Sequence, residues 1–164
     1  MHDDAEELVE ALISASRALV AVAARSVAGL AAEVTLPQYR ALVVLASRGP
    51  QRGVELAAEL GVNPSTATRL IDRLAKADLV ERQPIADDRR AVLVVLRPAG
   101  KRLVATVHRR RRAEVARIVA AMPARRRADA VAALKAFADA AGETPDNQWW
   151  LGFEVPEMEG GRTR

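Results

Sequence analysis

The sequence predicts a mainly α-helical fold that carries one small β-hairpin between long helices at the two ends of the chain. Three observations predict it. Apolar residues recur at steps of three and four over most of the 164 residues, the period of helices with one buried stripe. Pro37, Pro64, Pro98 and Pro123 fall at the edges of these periodic stretches, where a missing N–H does least harm. One segment breaks the pattern, with two β-prone runs, "LVERQP" and "AVLVVL", joined by "IADDRR", which reads as a hairpin.

The first helix is predicted from Asp4 to about Ala32, proline-free, with Leu8, Leu12, Leu19, Ala23, Val27 and Leu30 on one stripe. A helix of that length with so narrow a stripe needs a partner. A second is predicted from Thr35, where "TLPQYRALVVLASRG" offers a Thr cap, an early Pro and a Gly stop, and a short third, "VELAAELG", is closed by Gly61. Asn63 caps the fourth, which has Pro64 at its first position and runs to about Ala77. After the hairpin, Pro98 opens a fifth helix with Leu103, Val104, Val107, Val115, Ile118 and Met122. Pro123 ends it, and a sixth follows with Val131, Leu134, Phe137 and Ala138 on one face. From Gly142 the sequence reads as an irregular tail.

Composition narrows the function classes. The chain has one domain's length and half its residues are hydrophobic, enough for a single core. It has no cysteine, which excludes disulfides, thiolate metal sites and cysteine redox sensing. The start "MHDDAEELVE" is acidic, unlike a secretory signal. No apolar run approaches the ~20 residues of a membrane span, so the cytoplasm is the expected location and no membrane partner is expected. From Arg89 to Ala113 there are nine basic residues and no acidic one, whereas the tail holds Glu143, Asp146, Glu154, Glu157 and Glu159. A basic middle suggests a polyanionic partner, although charge alone fits solvated helix faces equally well.

The fourth helix narrows the choice. At 100° per residue, Ala67, Leu70, Ile71 and Leu74 form its core stripe, while Ser65, Arg69, Asp72 and Lys76 lie opposite, flanked by Thr66, Thr68 and Arg73. Short hydroxyls followed by arginine suit a major groove: small residues allow close approach, and Arg can grip guanine O6 and N7 with two bonds. The preceding "VELAAELG" and the short "GVN" link make a helix-turn-helix corner. The hairpin tip adds Asp87, Asp88, Arg89 and Arg90. An exposed loop has no core reason to hold two arginines, and an Arg on such a wing can enter the narrower minor groove.

With these residues in place, "STATRLIDRLAKADLVERQPIADDRRAVLVVLRPAGKRL" resembles the MarR family of bacterial transcription regulators. The family pattern of T-R-L-hydrophobic-D-R-L, then G-L-V-x-R, then D-R-R, an apolar strand and T-x-x-G corresponds to Thr68 to Leu74, Asp78 to Arg82, Asp88-Arg89-Arg90, "AVLVVL", and Arg97 to Gly100. The resemblance covers about Leu36 to Leu103. It implies a winged helix-turn-helix unit over residues 35–97 between an N-terminal dimerisation helix at 1–34 and C-terminal dimerisation helices at 98–142, followed by an aromatic and acidic tail at 143–164. It implies a homodimer on a pseudo-palindromic double-stranded DNA operator, acting as a repressor. Carried over by position, Ser65, Thr66, Thr68 and Arg69 face the major groove. Arg73 lies near phosphate or braces the wing, Asp88 holds the wing, and Arg89 and Arg90 reach the minor groove.

Three positions depart from the pattern. Asp78 stands where the family has glycine, and can take a left-handed helix end less readily. Arg97 replaces the capping Thr of T-x-x-G, and Arg52 stands where a Ser or Thr usually starts the third helix. Both arginines are expected near the DNA backbone. The resemblance also implies a small aromatic acid as effector, in a pocket between dimer helices and winged unit, with Tyr39 and Arg17 as candidate lining residues. A constitutive or architectural DNA binder without effector remains the alternative. Enzyme activity is not expected. His2 and His108 are the only histidines, no cluster has ligand or triad spacing, and no cofactor or metal is implied. Trp149, Trp150 and Phe153 are three of five aromatics. They are expected to dock on the base where the terminal helices of both subunits meet, with Glu143, Asp146 and Glu154 facing the basic runs at 108–112 or 125–127.

Overall fold

The computed structural model describes residues 2–30, 34–85, 88–145 and 148–151, with the backbone alone at 2–3 and 88–91. Six helices and three short strands follow in the order α1 (His2–Val27), α2 (Leu36–Arg48), β1 (Gln51–Arg52), α3 (Gly53–Leu60), α4 (Pro64–Lys76), β2 (Val80–Ile85), β3 (Asp88–Leu96), α5 (Pro98–Ala121) and α6 (Ala124–Ala140).

Local chemistry sets most of the boundaries. Thr35 caps α2 reciprocally with Gln38: the Thr35 N–H donates to Gln38 Oε1 at 2.8 Å and the Gln38 N–H to Thr35 Oγ1. Asn63 Oδ1 accepts the Thr66 N–H at 2.8 Å and so starts α4. Past α4, Asp78 takes a left-handed φ of 61°, and paired bonds from Asp78 N–H to Ala75 O and from Leu79 N–H to Leu74 O close the helix. Gly61 closes α3 in the same way. The first helix is shorter than its apolar stripe predicts: it stops at Val27, because Gly29 at φ 67° turns the chain.

The core is built around α2. Leu42, Leu45, Ala41 and Ala46 are fully buried and meet Leu56 of α3, Leu74 of α4, Val80 and Leu96 of the sheet, and Val104 and Val107 of α5. Each large side chain among them contributes about 1.5–3 kcal/mol by leaving water. The predicted stripe of α4, Ala67, Leu70, Ile71 and Leu74, is the set it buries. The wing is a three-stranded antiparallel sheet in the order β1-β3-β2, one strand more than the hairpin the sequence predicts. Val80 pairs with Leu96 and Arg82 with Val94, while Gln51 and Arg52 add to the free edge of β3 opposite Val94 and Leu93. Two residues are too few to show an alternating pattern, so β1 has no sequence signature.

Outside this core the terminal helices keep apolar residues in solvent: Leu8, Val9, Ile13, Leu19 and Val20 on α1, Ile118 on α5, and Val131, Leu134 and Phe137 on α6. Helix α6 buries no residue.

Candidate nucleic-acid interface

The helix-turn-helix corner is α3, the link through Gly61 to Asn63, and α4. Ser65, Thr66, Thr68 and Arg69 are all exposed on α4, on the face opposite its buried stripe. The Ser65 hydroxyl donates to Asn63 Oδ1 at 2.8 Å and the Thr68 hydroxyl to Pro64 O at 2.9 Å. Both spend their protons within the helix and present lone pairs outward, suited to accept from base amino groups. Arg69 and Arg73 are exposed, and neither has an ion pair or side-chain hydrogen bond among the described residues. The tie between α4 and the wing is a different pair: Arg82 Nη2 of β2 donates to Asp72 Oδ1 at 2.6 Å. Both side chains are about half exposed, so the pair contributes little stability, but it fixes the angle between helix and sheet. Among the described residues Arg73 does not brace the wing.

Asp88, Arg89 and Arg90 open β3, with Asp88 opposite Ile85 after a register shift at Pro84. Their side chains and Asp87 lie outside the described residues.

The two expected backbone-facing departures have partners of their own. Arg97 precedes α5 without capping it, and its guanidinium meets Asp78 Oδ1 at 3.2 Å and Glu81 Oε2 at 3.5 Å. The two positions that depart from the family pattern on either side of the hairpin therefore pair with each other. Nearby, a Cβ at Gly100 would lie 2.2 Å from Leu79 O, the carbonyl that accepts the Arg97 N–H. The final glycine of the motif is thus required by close approach of backbone to backbone. Arg52 starts α3 with an exposed side chain. As arginine has no acceptor, only half of a capping box forms, the Arg52 N–H donating to Glu55 Oε2 at 2.8 Å.

The two candidate pocket residues are not brought together. Tyr39 is buried and lines a cavity of about 800 Å³ among α2, α5, α6 and the C-terminal segment. Arg17 is exposed on α1, reaches Ser14 at 3.4 Å, and does not line it. The basic side chains there are Arg40, Arg111 and Lys135, beside the His108 ring. Arg111 stacks over the Tyr39 ring at 5.5 Å, and its Nε is buried with no protein acceptor among the described residues. In sequence Arg111 is hidden in the run at 108–112, and its Tyr39 partner lies on another helix.

The described part of the tail, 148–151, packs on α5 and on the end of α2 of its own chain. Trp149 packs edge-on against His108 of α5, with ring centroids 5.9 Å apart, and Trp150 lies against the end of α2 in the same chain. Glu143 pairs with Arg40 of α2 at 2.5 Å, not with the basic runs at 108–112 or 125–127. Asp146, Phe153 and Glu154 lie outside the described residues. Among those described, no group of His, Cys, Asp and Glu could hold a metal ion, and no helix is long and apolar enough to cross a membrane.

A helix-turn-helix corner braced to a three-stranded wing and flanked by long terminal helices defines a winged helix-turn-helix protein. The model of the MarR family matches residues 34–92. The crystal structure of RV1404 from Mycobacterium tuberculosis superposes with a TM-score of 0.80 at 42% identity, covering 86% of this chain and 96% of that one. This chain belongs to the MarR family. A MarR family protein from Bacillus stearothermophilus shares the fold at a TM-score of 0.76 and 22% identity, covering 87% of this chain and 99% of its own. The multiple antibiotic resistance protein MarR of Salmonella typhimurium is 35% identical over 78 residues, 48% of this chain and 54% of that protein. The chain spans about half the length of the curated relatives it matches.

Proposed function

We propose that the chain is a sequence-specific double-stranded DNA-binding transcriptional regulator, a repressor that acts in the cytoplasm as a homodimer on a pseudo-palindromic operator. The observation that carries this reading is the outer face of α4, where exposed Ser65, Thr66 and Thr68 lead to an Arg69 unpaired among the described residues, on a helix tied to the wing by the Asp72–Arg82 pair. An arginine with no intramolecular partner keeps its five donors for a guanine edge. Arg89 and Arg90 on β3 supply the minor-groove cations, and Arg73 and Arg52 the phosphate contacts. Arg97, held between Asp78 and Glu81, has a smaller share in phosphate contact than its charge suggests.

The apolar residues left in solvent on α1, α5 and α6 support the homodimer. The cavity at Tyr39 supports release by a small aromatic acid: rings of Tyr39, His108 and Trp149 offer flat contact, and Arg111 Nε lacks, among the described residues, an acceptor that a carboxylate would supply.

Selection of bound fragments from the protein's own genome, followed by gel shifts with and without benzoate, tests the reading. Two half-sites about one helical turn apart are expected. Arg69→Ala should relax preference at one position per half-site, by about 1–3 kcal/mol. Arg90→Ala should weaken binding with a shallower salt slope. A monomer with no preference over competitor DNA overturns the reading.

A further inference from the structure

The last four C=O groups of a helix have no partner within it. At the end of α2 the chain's own C-terminal segment supplies two of the missing donors: the Trp150 N–H bonds Ser47 O at 3.0 Å, and the Leu151 N–H bonds Ala46 O at 3.1 Å. The segment reaches that place by turning back from α6. Gly142 at φ 70° ends the helix, Arg48 Nη2 donates to Gly142 O at 3.2 Å, and Glu143 pairs with Arg40. Trp149 Nε1 then donates to Thr144 O at 3.0 Å, which fixes the loop on itself.

Trp150 sits at a mechanical joint. Its indole covers Gly49, where a Cβ would come within 3.2 Å of the ring. Lys101 Nζ, from the first turn of α5, lies 5.8 Å from the ring centroid. Gly49 is the residue through which α2 passes into β1, hence into the wing sheet and α3. Its neighbour Arg48 holds Glu59 of α3 at 3.0 Å. One side chain thus touches the end of α2, the entrance to the reading unit and the start of α5, while its own backbone leads from α6. Trp150 is nevertheless 54% exposed and stands outside the hydrophobic core.

We propose that residues 142–145 and 148–151 form a strap that sets the position of the winged unit on the terminal helices, with Trp150 as a positioning residue for DNA binding. The strap rests on the DNA-binding reading for its effect on affinity, but its mechanical part stands apart from it. With the strap docked, the α4 face is held at one angle to the terminal helices. Without it, the unit rocks about Gly49, and binding must select the competent arrangement from a broader set.

Two measurements on the full chain test the strap. As the sequence has no cysteine, spin labels can be placed cleanly at Lys76→Cys on α4 and Ala132→Cys on α6, with labelled chain diluted into unlabelled. The distance distribution should be narrow with Trp150 present, broaden in Trp150→Ala, and narrow again in Trp150→Phe. Binding to the selected operator, at a temperature where both forms are fully folded by circular dichroism, should weaken in Trp150→Ala within the 5- to 150-fold range of ordinary intersite coupling, about 1–3 kcal/mol. Salt slope and base preference should stay as in the unsubstituted protein, because no DNA contact is lost. Loss of helical stability alone would not produce that combination, nor its rescue by phenylalanine. An unchanged distance distribution overturns the strap, as does an operator affinity within twofold of the parent. If the parent itself shows no site preference, the DNA reading fails, and the distances alone decide whether the strap positions the unit.

Discussion

Asp78→Gly should leave the protein as stable or make it slightly more stable, even though it removes an ion pair. The sign follows from two opposing effects. Asp78 is held at φ 61°, a conformation that costs an L-residue roughly 1–2 kcal/mol, at the lower end for Asp. Glycine removes that strain but adds freedom to the unfolded chain, worth about 0.5–1 kcal/mol in the other direction. Against the small net gain stands the 3.2 Å contact from Asp78 to Arg97, whose side chains are 68% and 42% exposed. At that exposure the pair contributes a few tenths of a kcal/mol, at most about 1, and Arg97 keeps Glu81 at 3.5 Å when Asp78 is gone. Arg97→Thr loses both contacts but restores a hydroxyl where α5 has no side-chain cap, a gain of about 1 kcal/mol. The double variant should therefore gain about 1 kcal/mol, raising the midpoint by roughly 2–4 °C for a chain of this size. Calorimetry at one fixed protein concentration is the assay, since the proposed dimerisation would make the midpoint concentration-dependent. The two single variants complete the cycle. A loss above about 1 kcal/mol for Asp78→Gly, or a coupling energy above that figure, would refute the reasoning and make the exposed pair a principal fastener of the wing.

Gly100→Ala should destabilise by at least about 2 kcal/mol despite the better helix propensity of alanine, because the new methyl meets Leu79 O at 2.2 Å; denaturant unfolding measures it, and an unchanged midpoint counts against the close approach. Asn63→Ala removes the acceptor for the Thr66 N–H and should cost about 1 kcal/mol, together with a lower operator affinity at constant folding, read by unfolding and gel shift on the same preparation. Phe137→Asp, on a side chain 53% exposed in the single chain, should leave the winged unit folded but shift the protein towards monomer in sedimentation; a dimer of unchanged affinity removes α6 from the proposed interface. Peroxide at levels that oxidise thiol sensors should leave operator binding intact, since the chain has no cysteine.

Helices α2 to α4 were legible because their signals are local. The Thr35 and Asn63 caps, Pro64 and the Gly61 stop all act within a few residues of themselves, and the α4 stripe follows from a fixed 100° step. What escaped is what depends on another part of the chain. Strand β1 exists only because β3 has a free edge beside Gln51 and Arg52. The Asp72–Arg82 brace joins a helix to a strand, and both residues read alone as solvated charges. The cavity needs α2, α5, α6 and the tail to converge before Arg111 becomes a buried donor. The tail is the sharpest case. Its aromatic excess announced that it would dock, but its site was set by carbonyls at the end of α2, and every helix ends with such carbonyls. Nothing in a sequence says which end will be within reach of residue 150.

The departures at 78 and 97 show how such information is recovered. Taken singly, each is a substitution at a motif position: one worsens a turn, the other forgoes a cap and places a cation in a basic protein. Eighteen residues lie between them, a whole hairpin among them. The backbone brings them together, because Leu79 O accepts the Arg97 N–H at 3.0 Å and Gly100 allows the helix to approach that carbonyl. Once strand and helix meet there, a carboxylate at 78 and a guanidinium at 97 must face each other whatever their separate origins. An arginine already satisfied by Asp78 and Glu81 offers less to phosphate than Arg69 or Arg73, which have no such partners among the described residues. Charge count alone would rank these three arginines together. Their partners rank them differently, and they place the proposed reading surface on α4, with the junction beneath α5 serving to hold the wing.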